Sequence, residues 1–424
     1  MTFLPYGRQS ISEADIEAVV ETLRSDFLTT GPMVERFETA LAETVGAKEA
    51  VVVANGTAAL HLAVMSEELS PRCAVIVPAI TFAASANCVA YCGAPVIFAD
   101  VDPVTGLITD ETFDDALATL ERDYHGHRLG GVIPVHYAGR PVNISHIQEV
   151  CREHGSFVIE DACHAIGTVG PQGPVGSCKV STAACFSFHP VKTLTTGEGG
   201  AITTNDPVLA RRLRALRSHG IERDPAHFVG LRYDGEGDTG PWVYEQQCLG
   251  YNYRLPDINC ALGLSQLKRL PAFAARRKAL VAAYQAALAT ANIPVSWKYS
   301  DYDTVFHLFA VNIDFTALGT TRARVMAGLR ERGIGTQVHY APVNRQPYWQ
   351  TRALAKRDLP GADRFYQNTL SLPLYADMAH DDPERVIKAL SEVLRLPAAG
   401  SAPITSPISS ANCRGIIMVR SSVH

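Results

Sequence analysis

The residues best suited to chemistry lie around Lys192. An apolar stretch over residues 183–188 predicts a strand, and polar side chains follow its end. Pro190 cannot donate a ladder hydrogen bond and disfavours helix before it, so the strand should end near His189. Lys192 would then follow the carboxyl end of a strand, where open α/β sheets bind ligands. A lysine there is either a solvated surface cation or a reactive amine, and taken alone the surface interpretation is favoured.

A second candidate is the turn that follows the apolar stretch 51–54 and opens a predicted helix. Gly56 and Thr57 would present free backbone N–H groups at the positive end of the helix dipole, which suits a phosphate. The turn lacks Gly-x-Gly-x-x-Gly and a Gly-Lys-Ser/Thr ending, so neither dinucleotide nor P-loop binding is favoured. An ordinary helix cap explains the turn equally well.

Three further side chains suit the same kind of ligand. Asp161, after the predicted strand 157–159, could keep a pyridine nitrogen protonated, and His164 could reach a neighbouring ring oxygen. Alternatively, Asp161 caps a helix. Ser187 offers a hydroxyl to a phosphate. Phe82 could stack on a flat ring, although for this residue alone a place in the core is the preferred interpretation.

One ligand accounts for all of these features. Pyridoxal 5′-phosphate has an aldehyde for Lys192, a ring nitrogen for Asp161, a phosphate for the Gly56 turn and Ser187, and a ring face for Phe82. Metal-dependent hydrolysis or hydride transfer would use at most one of them. The residues therefore predict an enzyme that uses pyridoxal phosphate.

Strands and helices must alternate to position these residues. Seven short, Val/Ile-rich stretches do not alternate in polarity, which is typical of strands buried on both faces of a mainly parallel sheet. They are residues 51–54, 74–77, 95–99, 132–135, 157–159, 183–188 and 201–204. The predicted fold class is α/β, with a large three-layer domain and a smaller C-terminal α+β domain.

The predicted domains are residues 1–275 and 276–396, followed by a tail over 397–424 that lacks periodicity and is expected to be disordered. The first helix should begin after Ser12, with Asp15 in a capping box and with Ile16 and Leu23 on one apolar face. In the small domain we expect strands over 305–313 and 336–339, and a last helix after residue 382.

Composition excludes several classes of protein. The chain has 424 residues, of which 47% are hydrophobic and 19% charged, as in an ordinary soluble enzyme. A net charge of −5 argues against a nucleic-acid surface. No apolar stretch reaches the roughly 20 residues that span a bilayer, and no signal peptide is visible, so we expect a cytoplasmic protein. The 10 cysteines contain no Cys-x-x-Cys pair and the 14 histidines show no ligand spacing, so no metal site is predicted.

These motifs, in this order, resemble the DegT/DnrJ/EryC1/StrS sugar aminotransferases over about residues 3–396. The resemblance rests on residues 29–32, 55–60, 160–162, 187–200 and 250–254. Residues 5–9, 25–29 and 161–164 look closest to the branch that aminates a UDP-linked 4-keto sugar for pseudaminic acid. Retained Lys192 argues against the dehydratases of the family, in which histidine replaces it. The complete set Asp161, Ser187 and Lys192 argues against a non-catalytic binding protein.

The resemblance implies a fold type I homodimer with shared active sites, which takes L-glutamate and a nucleotide-sugar. GDP- and dTDP-linked 4-keto sugars stay open as alternatives. Lys192 would be catalytic, holding the cofactor and then acting as general base. The cofactor-binding residues would be Gly56, Thr57, Ala58, Phe82, Asp161, His164, Ser187 and the partner's Asn252. The substrate-binding residues would be Tyr6, Phe27, Leu28, Thr29, Thr30, Arg254, His339, Tyr340, Ala341 and Pro342.

Overall fold

The structure is a computed structural model that describes residues 3–230, 240, 242–352 and 357–395. The helices are α1 (Glu13–Leu23), α2 (Pro32–Val45), α3 (Gly56–Met65), α4 (Ala84–Tyr91), α5 (Asp110–Asp123), α6 (Ser145–Glu153), α7 (Pro207–Arg217), α8 (Asp257–Lys268), α9 (Leu270–Ala291), α10 (Arg322–Glu331), α11 (Pro347–Gln350), α12 (Pro360–Asn368) and α13 (Asp382–Arg395). The strands are β1 (Glu49–Val53), β2 (Cys73–Pro78), β3 (Val96–Ala99), β4 (Arg128–Val132), β5 (Phe157–Asp161), β6 (Val169–Gly170), β7 (Gly173–Pro174), β8 (Ala183–Ser187), β9 (Gly200–Thr204), β10 (Ile221–Glu222), β11 (Glu245–Gln246), β12 (Val295–Ser296), β13 (Phe309–Ile313) and β14 (Thr369–Leu372).

The central sheet contains seven strands in the order β1-β9-β8-β5-β4-β2-β3. β9 is antiparallel to both of its neighbours, and every other pair in the sheet is parallel. The predicted seven-stranded, mainly parallel sheet is therefore confirmed. Because six strands share one direction, their carboxyl ends meet at a single edge of the sheet.

Burial on both faces explains the unbroken apolar strands. In β2, Val75 and Val77 pack into a core with α3 and α4, whereas Ala74 and Ile76 pack into a second core with α5 and α6. Full burial of each valine or isoleucine side chain stabilises the fold by about 1.5–3 kcal/mol. A sheet covered in this way needs no polar face, so alternation of polarity does not appear in the sequence.

The bounds predicted for β4 were wrong. The strand lies over Arg128–Val132 rather than 132–135. Its two glycines interrupt the apolar pattern, so the sequence did not indicate a strand there. A Cβ at Gly131 would lie 2.4 Å from the Phe157 ring, so glycine is needed for β4 and β5 to approach. Beyond Val132 the chain leaves the sheet, and Val135 makes only an isolated bridge to Asp161.

A third core lies between α9, α10, α13 and the sheet β12-β13-β14. The predicted strand 336–339 was wrong, because Gln337 makes only an isolated bridge to Ser371 of β14. The strand predicted over 305–313 begins later, at Phe309. The chain then returns to the first core through Trp349 and Phe365. The domain boundary near residue 276 stays a prediction, and the predicted tail lies outside the described residues.

The helix α1 begins as the sequence predicted. The Asp15 N–H donates to the Ser12 side chain, and the Asp15 carboxylate accepts from the Ser12 N–H at 2.8 Å. Its Ile16 and Leu23 are 48% and 53% exposed, whereas Val19 and Val20 are partly buried, so the chain itself covers the apolar face of α1 only in part. Within the described ranges, no helix is both long enough and apolar enough to cross a membrane.

Candidate active site

A cavity of about 650 Å³ lies at the edge where the carboxyl ends of the parallel strands meet. It is lined by residues from loops that are distant in the sequence. Those predicted from the sequence and found here are Tyr6, Gly56, Thr57, Phe82, Asp161, His164, Ser187, Lys192, His339 and Tyr340. The strand-end positions inferred from single motifs are thus brought together in space.

Lys192 lies in the turn that follows β8. Its backbone N–H donates to the His189 carbonyl at 2.8 Å, and its side chain is half-buried in the cavity wall. Burial lowers the pKa of the Lys192 amine, and the neighbouring Cys163 and Asp161 oppose that shift. A lowered pKa increases the fraction of neutral amine, which is the form that acts as nucleophile and base.

The predicted phosphate turn lies beside the end of β8. Asn55 caps α3 by accepting the Ala58 N–H at 2.8 Å, which leaves the N–H groups of Gly56 and Thr57 without an intrahelical acceptor. A Cβ on Gly56 would lie 2.8 Å from the Cβ of Ser187. Glycine therefore allows the helix terminus and the serine hydroxyl to share one small space. The Ala58 N–H is already bonded, so its contact with the cofactor stays a prediction.

Asp161 is held rigidly at the end of β5. Its Oδ2 accepts a 2.6 Å hydrogen bond from the Ser85 hydroxyl, and its Oδ1 accepts from the Cys163 N–H at 3.2 Å. The Thr81 hydroxyl lies 2.6 Å from that of Ser85. The carboxylate is buried yet lines the cavity. Sequence reasoning missed Ser85, because its contact with Asp161 spans 76 residues.

His164 and Tyr340 form a hydrogen-bonded pair across the cavity. Nδ1 of His164 accepts from the Ala138 N–H at 3.3 Å, and Nε2 lies 3.2 Å from the Tyr340 hydroxyl. Burial, and then the charge of Lys192, hold the pKa of His164 well below its usual range, so the ring is neutral. A neutral ring that accepts at Nδ1 carries its proton on Nε2 and donates it to Tyr340. The Tyr340 O–H is then free to donate elsewhere.

Three more histidines line the cavity, and of these His307 and His339 are buried whereas His189 is exposed. His307, which sequence reasoning missed, has its ring centroid 4.4 Å from that of His164, and its buried Nδ1 has no partner among the described residues. Burial lowers the pKa of His307 well below the usual value. Burial likewise lowers the pKa of His339 to about 3, and Ser371 lies 2.9 Å from its Nδ1. His307 gave no signal because it stands inside an apolar stretch.

The placement of Phe82 decides between its two interpretations. Its side chain is 59% exposed, and its ring lies 6.1 Å from that of Tyr340 at the cavity wall. The interpretation of Phe82 as a core aromatic was therefore wrong. Its ring is available to cover a flat ligand.

Several predicted site residues lie away from this cavity. Asn252 is exposed and bridges to Ser218. Arg254 and Thr30 line a separate cavity of about 490 Å³. The other predicted substrate-binding residues outside the cavity are Phe27, Leu28 and Thr29, which are exposed, and Ala341 and Pro342, which follow Tyr340. One chain alone does not bring these residues to Lys192.

The residues present fit pyridoxal phosphate. A buried carboxylate, an amine of lowered pKa and a glycine-opened cradle at a helix N-terminus line one cavity. Asp161 could face a ring nitrogen, while Ser187 and the Gly56 and Thr57 amides could hold the phosphate. Among the residues of the described ranges there is no group of three His, Cys, Asp or Glu side chains that could hold a metal ion.

This fold and this site define a pyridoxal phosphate-dependent aminotransferase of fold type I. The model of the DegT/DnrJ/EryC1/StrS aminotransferase family matches residues 9–391, and the chain belongs to that family. It is similar to the spore coat polysaccharide biosynthesis protein SpsC of Bacillus subtilis, with 37% identity over 398 residues, covering 93% of this chain and 97% of SpsC.

Solved structures agree with this assignment. PseC of Helicobacter pylori, an aminotransferase involved in the biosynthesis of pseudoaminic acid, superposes with a TM-score of 0.78 at 26% identity, covering 93% of this chain and 99% of PseC. Spr1654 of Streptococcus pneumoniae in its PLP form superposes with a TM-score of 0.79 at 26% identity, covering 92% and 98% of the two chains. A PMP form of Spr1654 matches as well. The chain is thus a sugar aminotransferase, and pyridoxal 5′-phosphate is its cofactor.

Proposed function

We propose that this enzyme transfers the amino group of L-glutamate to C4 of a UDP-linked 4-keto-6-deoxy-N-acetylhexosamine. The product would be UDP-4-amino-4,6-dideoxy-N-acetyl-β-L-altrosamine, a precursor of pseudaminic acid. One observation carries the proposal: Lys192 and Asp161 line a single cavity together with the Gly56 turn and Ser187. The similarity to PseC supports the choice of sugar. The cytoplasmic location stays a prediction.

The chain's own residues would hold the cofactor from three sides. The Gly56 and Thr57 amides and the Ser187 hydroxyl would bind its phosphate, and the Asp161 carboxylate would face its ring nitrogen. Phe82 would cover one face of the ring. When bound, pyridoxal phosphate supplies a carbonyl for amines and a ring that withdraws electrons. Contacts that are in place before the reaction keep the ring in one orientation throughout.

Lys192 would move the protons of the reaction. Because its pKa is lowered by burial, the amine can accept the proton from Cα of glutamate as 2-oxoglutarate forms. In the second half of the cycle, Lys192 would return a proton to C4 of the sugar as that carbon receives nitrogen. The balance is one amino group moved from glutamate to sugar, with one carbonyl oxygen passing the other way.

Asp161 and its neighbours would hold the ring nitrogen in the charged form. The Ser85 hydroxyl and the Cys163 amide fix the carboxylate at two oxygens, which restricts its rotation. A fixed, buried carboxylate stabilises a positive charge more strongly than a mobile, solvated one. The Tyr340 O–H, freed by the bond from His164, could donate to an oxygen of the ligand.

We also propose a homodimer whose active sites are shared. Asn252 is exposed and lies outside the cavity of its own chain, as do Phe27 and Arg254. The resemblance to the family assigns these residues to cofactor and substrate. Supplying them to the neighbour's cavity would reconcile that assignment with their position, and each site would then need two chains.

Two alternatives remain for the experiment to decide. A GDP- or dTDP-linked 4-keto sugar would use the same catalytic residues, since the proposed roles of Lys192 and Asp161 concern the sugar carbon and the cofactor ring rather than the nucleotide. The similarity to SpsC supports an amino sugar of a polysaccharide in general terms. A non-catalytic protein that binds cofactor or sugar is disfavoured, because binding alone needs no base such as Lys192.

The test is to incubate the purified protein and L-glutamate with UDP-, GDP- and dTDP-linked 4-keto sugars. The proposal expects 2-oxoglutarate and a 4-amino sugar to form in equal amounts, and faster with the UDP-linked N-acetylhexosamine than with the others. The Lys192→Ala protein is the control and should form neither. Faster amination of a GDP- or dTDP-linked sugar would reject the proposed substrate.

A further inference from the structure

A second groove adjoins the catalytic cavity, and five of its twelve described lining residues are aromatic. It has a volume of about 540 Å³ and shares Thr81, Phe82 and Tyr340 with the cavity, so the two spaces are neighbours that meet at these side chains. Tyr91 and Tyr348 complete its aromatic lining together with Trp349. We call this space the aromatic groove.

Large aromatic side chains are unusually exposed in the aromatic groove. Phe82, Tyr91 and Tyr348 are each at least half exposed in the chain. Contiguous apolar surface of this kind marks a binding site more often than chance. The Tyr348 ring is held by neighbours: it packs edge-on against Trp349 at 5.1 Å, and the Arg352 guanidinium lies 4.6 Å from its centroid. A ring fixed in this way loses little freedom when a ligand stacks on it.

The polar groups of the aromatic groove are neutral. Asn87 and Gln346 line it, and neither side-chain amide has a hydrogen-bond partner among the described residues. The groove contains no Asp, Glu, Lys or Arg among its described lining residues. A side-chain amide offers a donor and an acceptor together, which matches the edge of a heterocyclic base. A phosphate, by contrast, would require cations.

We propose that the aromatic groove binds the nucleobase of the sugar nucleotide while the sugar occupies the cavity at Lys192. The inference rests on the proposed function, since it assigns a second part of the same substrate. Base stacking on aromatic rings is sequence-tolerant and contributes about 1–3 kcal/mol per base. Tyr348 would provide the stacking surface, and Asn87 and Gln346 would contact the edge of the base. A second copy of this chain is the competing occupant of the groove.

The first test measures binding of UDP by calorimetry to the wild type and to Tyr348→Ala, with the cofactor bound. We expect UDP to bind about tenfold more weakly to the variant. Tyr302→Ala removes another partly exposed tyrosine, which is not among the residues that line either space, and is the matched control. Equal affinity of Tyr348→Ala and wild type for UDP would overturn the proposal.

Gln346→Ala keeps the proposal testable should Tyr348→Ala fold poorly, because the exposed Gln346 side chain has no packing role in the core. It should bind UDP more weakly and lower the preference for UDP over dTDP. The kcat/KM for the nucleotide sugar should fall relative to that for glutamate in both variants. Unchanged affinity and preference in Gln346→Ala would count against the groove.

Sedimentation velocity shows whether the aromatic groove is covered by a second copy of this chain rather than by a nucleobase. If Tyr348→Ala binds UDP normally but sediments as a smaller species than wild type, a second chain covers the groove and the inference fails.

The failure of this inference can be distinguished from the failure of the proposed function. If wild type aminates the UDP sugar and Tyr348→Ala does so equally well, only the groove is rejected. If wild type aminates no UDP sugar, the proposed substrate fails first.

Discussion

The Ser85 hydroxyl donates a 2.6 Å hydrogen bond to Oδ2 of Asp161, across 76 residues of sequence. Ser85 lies in the first turn of α4, and Asp161 ends β5, so the bond fixes the carboxylate to a separate element. The other oxygen accepts the Cys163 amide at the longer distance of 3.2 Å, so the shorter bond from Ser85 contributes most to the orientation of Asp161. The serine is therefore a positioning residue.

Ser85→Ala should slow proton abstraction from glutamate by about tenfold to a hundredfold, since hydrogen bonds to charged groups contribute about 1.5–3 kcal/mol. Single-turnover absorbance of the cofactor after glutamate addition measures this rate. Ser66→Ala is the matched control, because it removes another buried serine, whose hydroxyl donates to the Ala63 carbonyl. A rate for Ser85→Ala equal to that of the control would show that Asp161 needs no such support.

Tyr340→Phe should lower kcat about tenfold while leaving the fold intact. The change leaves the buried Nε2–H of His164 without its acceptor, which costs about 1–3 kcal/mol, and removes the free phenolic donor from the cavity. Tyr284→Phe serves as control, because its buried hydroxyl donates to the Pro373 carbonyl in the core between α9, α10, α13 and the three-stranded sheet. Steady-state kinetics measure kcat for both variants. An equal loss of kcat in Tyr340→Phe and Tyr284→Phe would mean that the effect comes from reduced stability and not from the active site.

Stability should fall as the pH falls below about 6.5, the usual pKa of histidine. The pKa of folded His339 is lowered by burial to about 3, so between these values the unfolded chain binds a proton that the folded chain excludes. At pH 5 this single group should remove about 2 kcal/mol of the free energy of unfolding present at pH 7.5. Burial also lowers the pKa values of His164 and His307, so these residues add to the loss of stability as the pH falls.

Urea unfolding at the two pH values measures this effect, with His339→Gln as the comparison. Glutamine cannot be protonated in this range, so the variant should lose less stability than wild type on going from pH 7.5 to 5. An identical loss in both proteins would mean that His339 is not held neutral in the folded state.

Shared active sites predict complementation between two inactive chains. In a hybrid of Lys192→Ala with Asn252→Ala, one site carries both defects and the other carries neither. Mixing and refolding the two inactive proteins should therefore restore up to one working site per hybrid dimer. Activity that stays at background, with hybrid formation verified by mass, would indicate that Asn252 serves no neighbouring site.

Sequence predicted those site residues that stand at the ends of strands. Lys192, Asp161 and the Gly56 turn each follow an apolar stretch, and the carboxyl ends of parallel strands meet at one edge, so their proximity follows from topology. Ser85 and His307 could not be found in this way. Ser85 acts through a contact 76 residues away, and His307 stands among apolar neighbours where its local pattern resembles core.

The fold itself was predicted where apolar runs were unbroken. β2 and β5 are buried on both faces and were recognised, whereas the glycines of β4 displaced the predicted strand by several residues. Gly131 is small because Phe157 packs on it, a tertiary reason that is absent from local propensity. Residues 336–339 have a sequence pattern typical of a strand, but among them only Gln337 makes a β-bridge, to Ser371.

The most direct measurement of the central claim is borohydride reduction of the cofactor-bound protein, followed by peptide mass analysis. Reduction should fix pyridoxal phosphate to the peptide that contains Lys192, with a nearly stoichiometric yield and loss of the yellow colour. Lys179, whose side chain lies at the separate turn around Gly173, provides an internal comparison on the same protein. Label on Lys192 alone is the predicted result, and label on Lys179 or any other lysine would contradict the account.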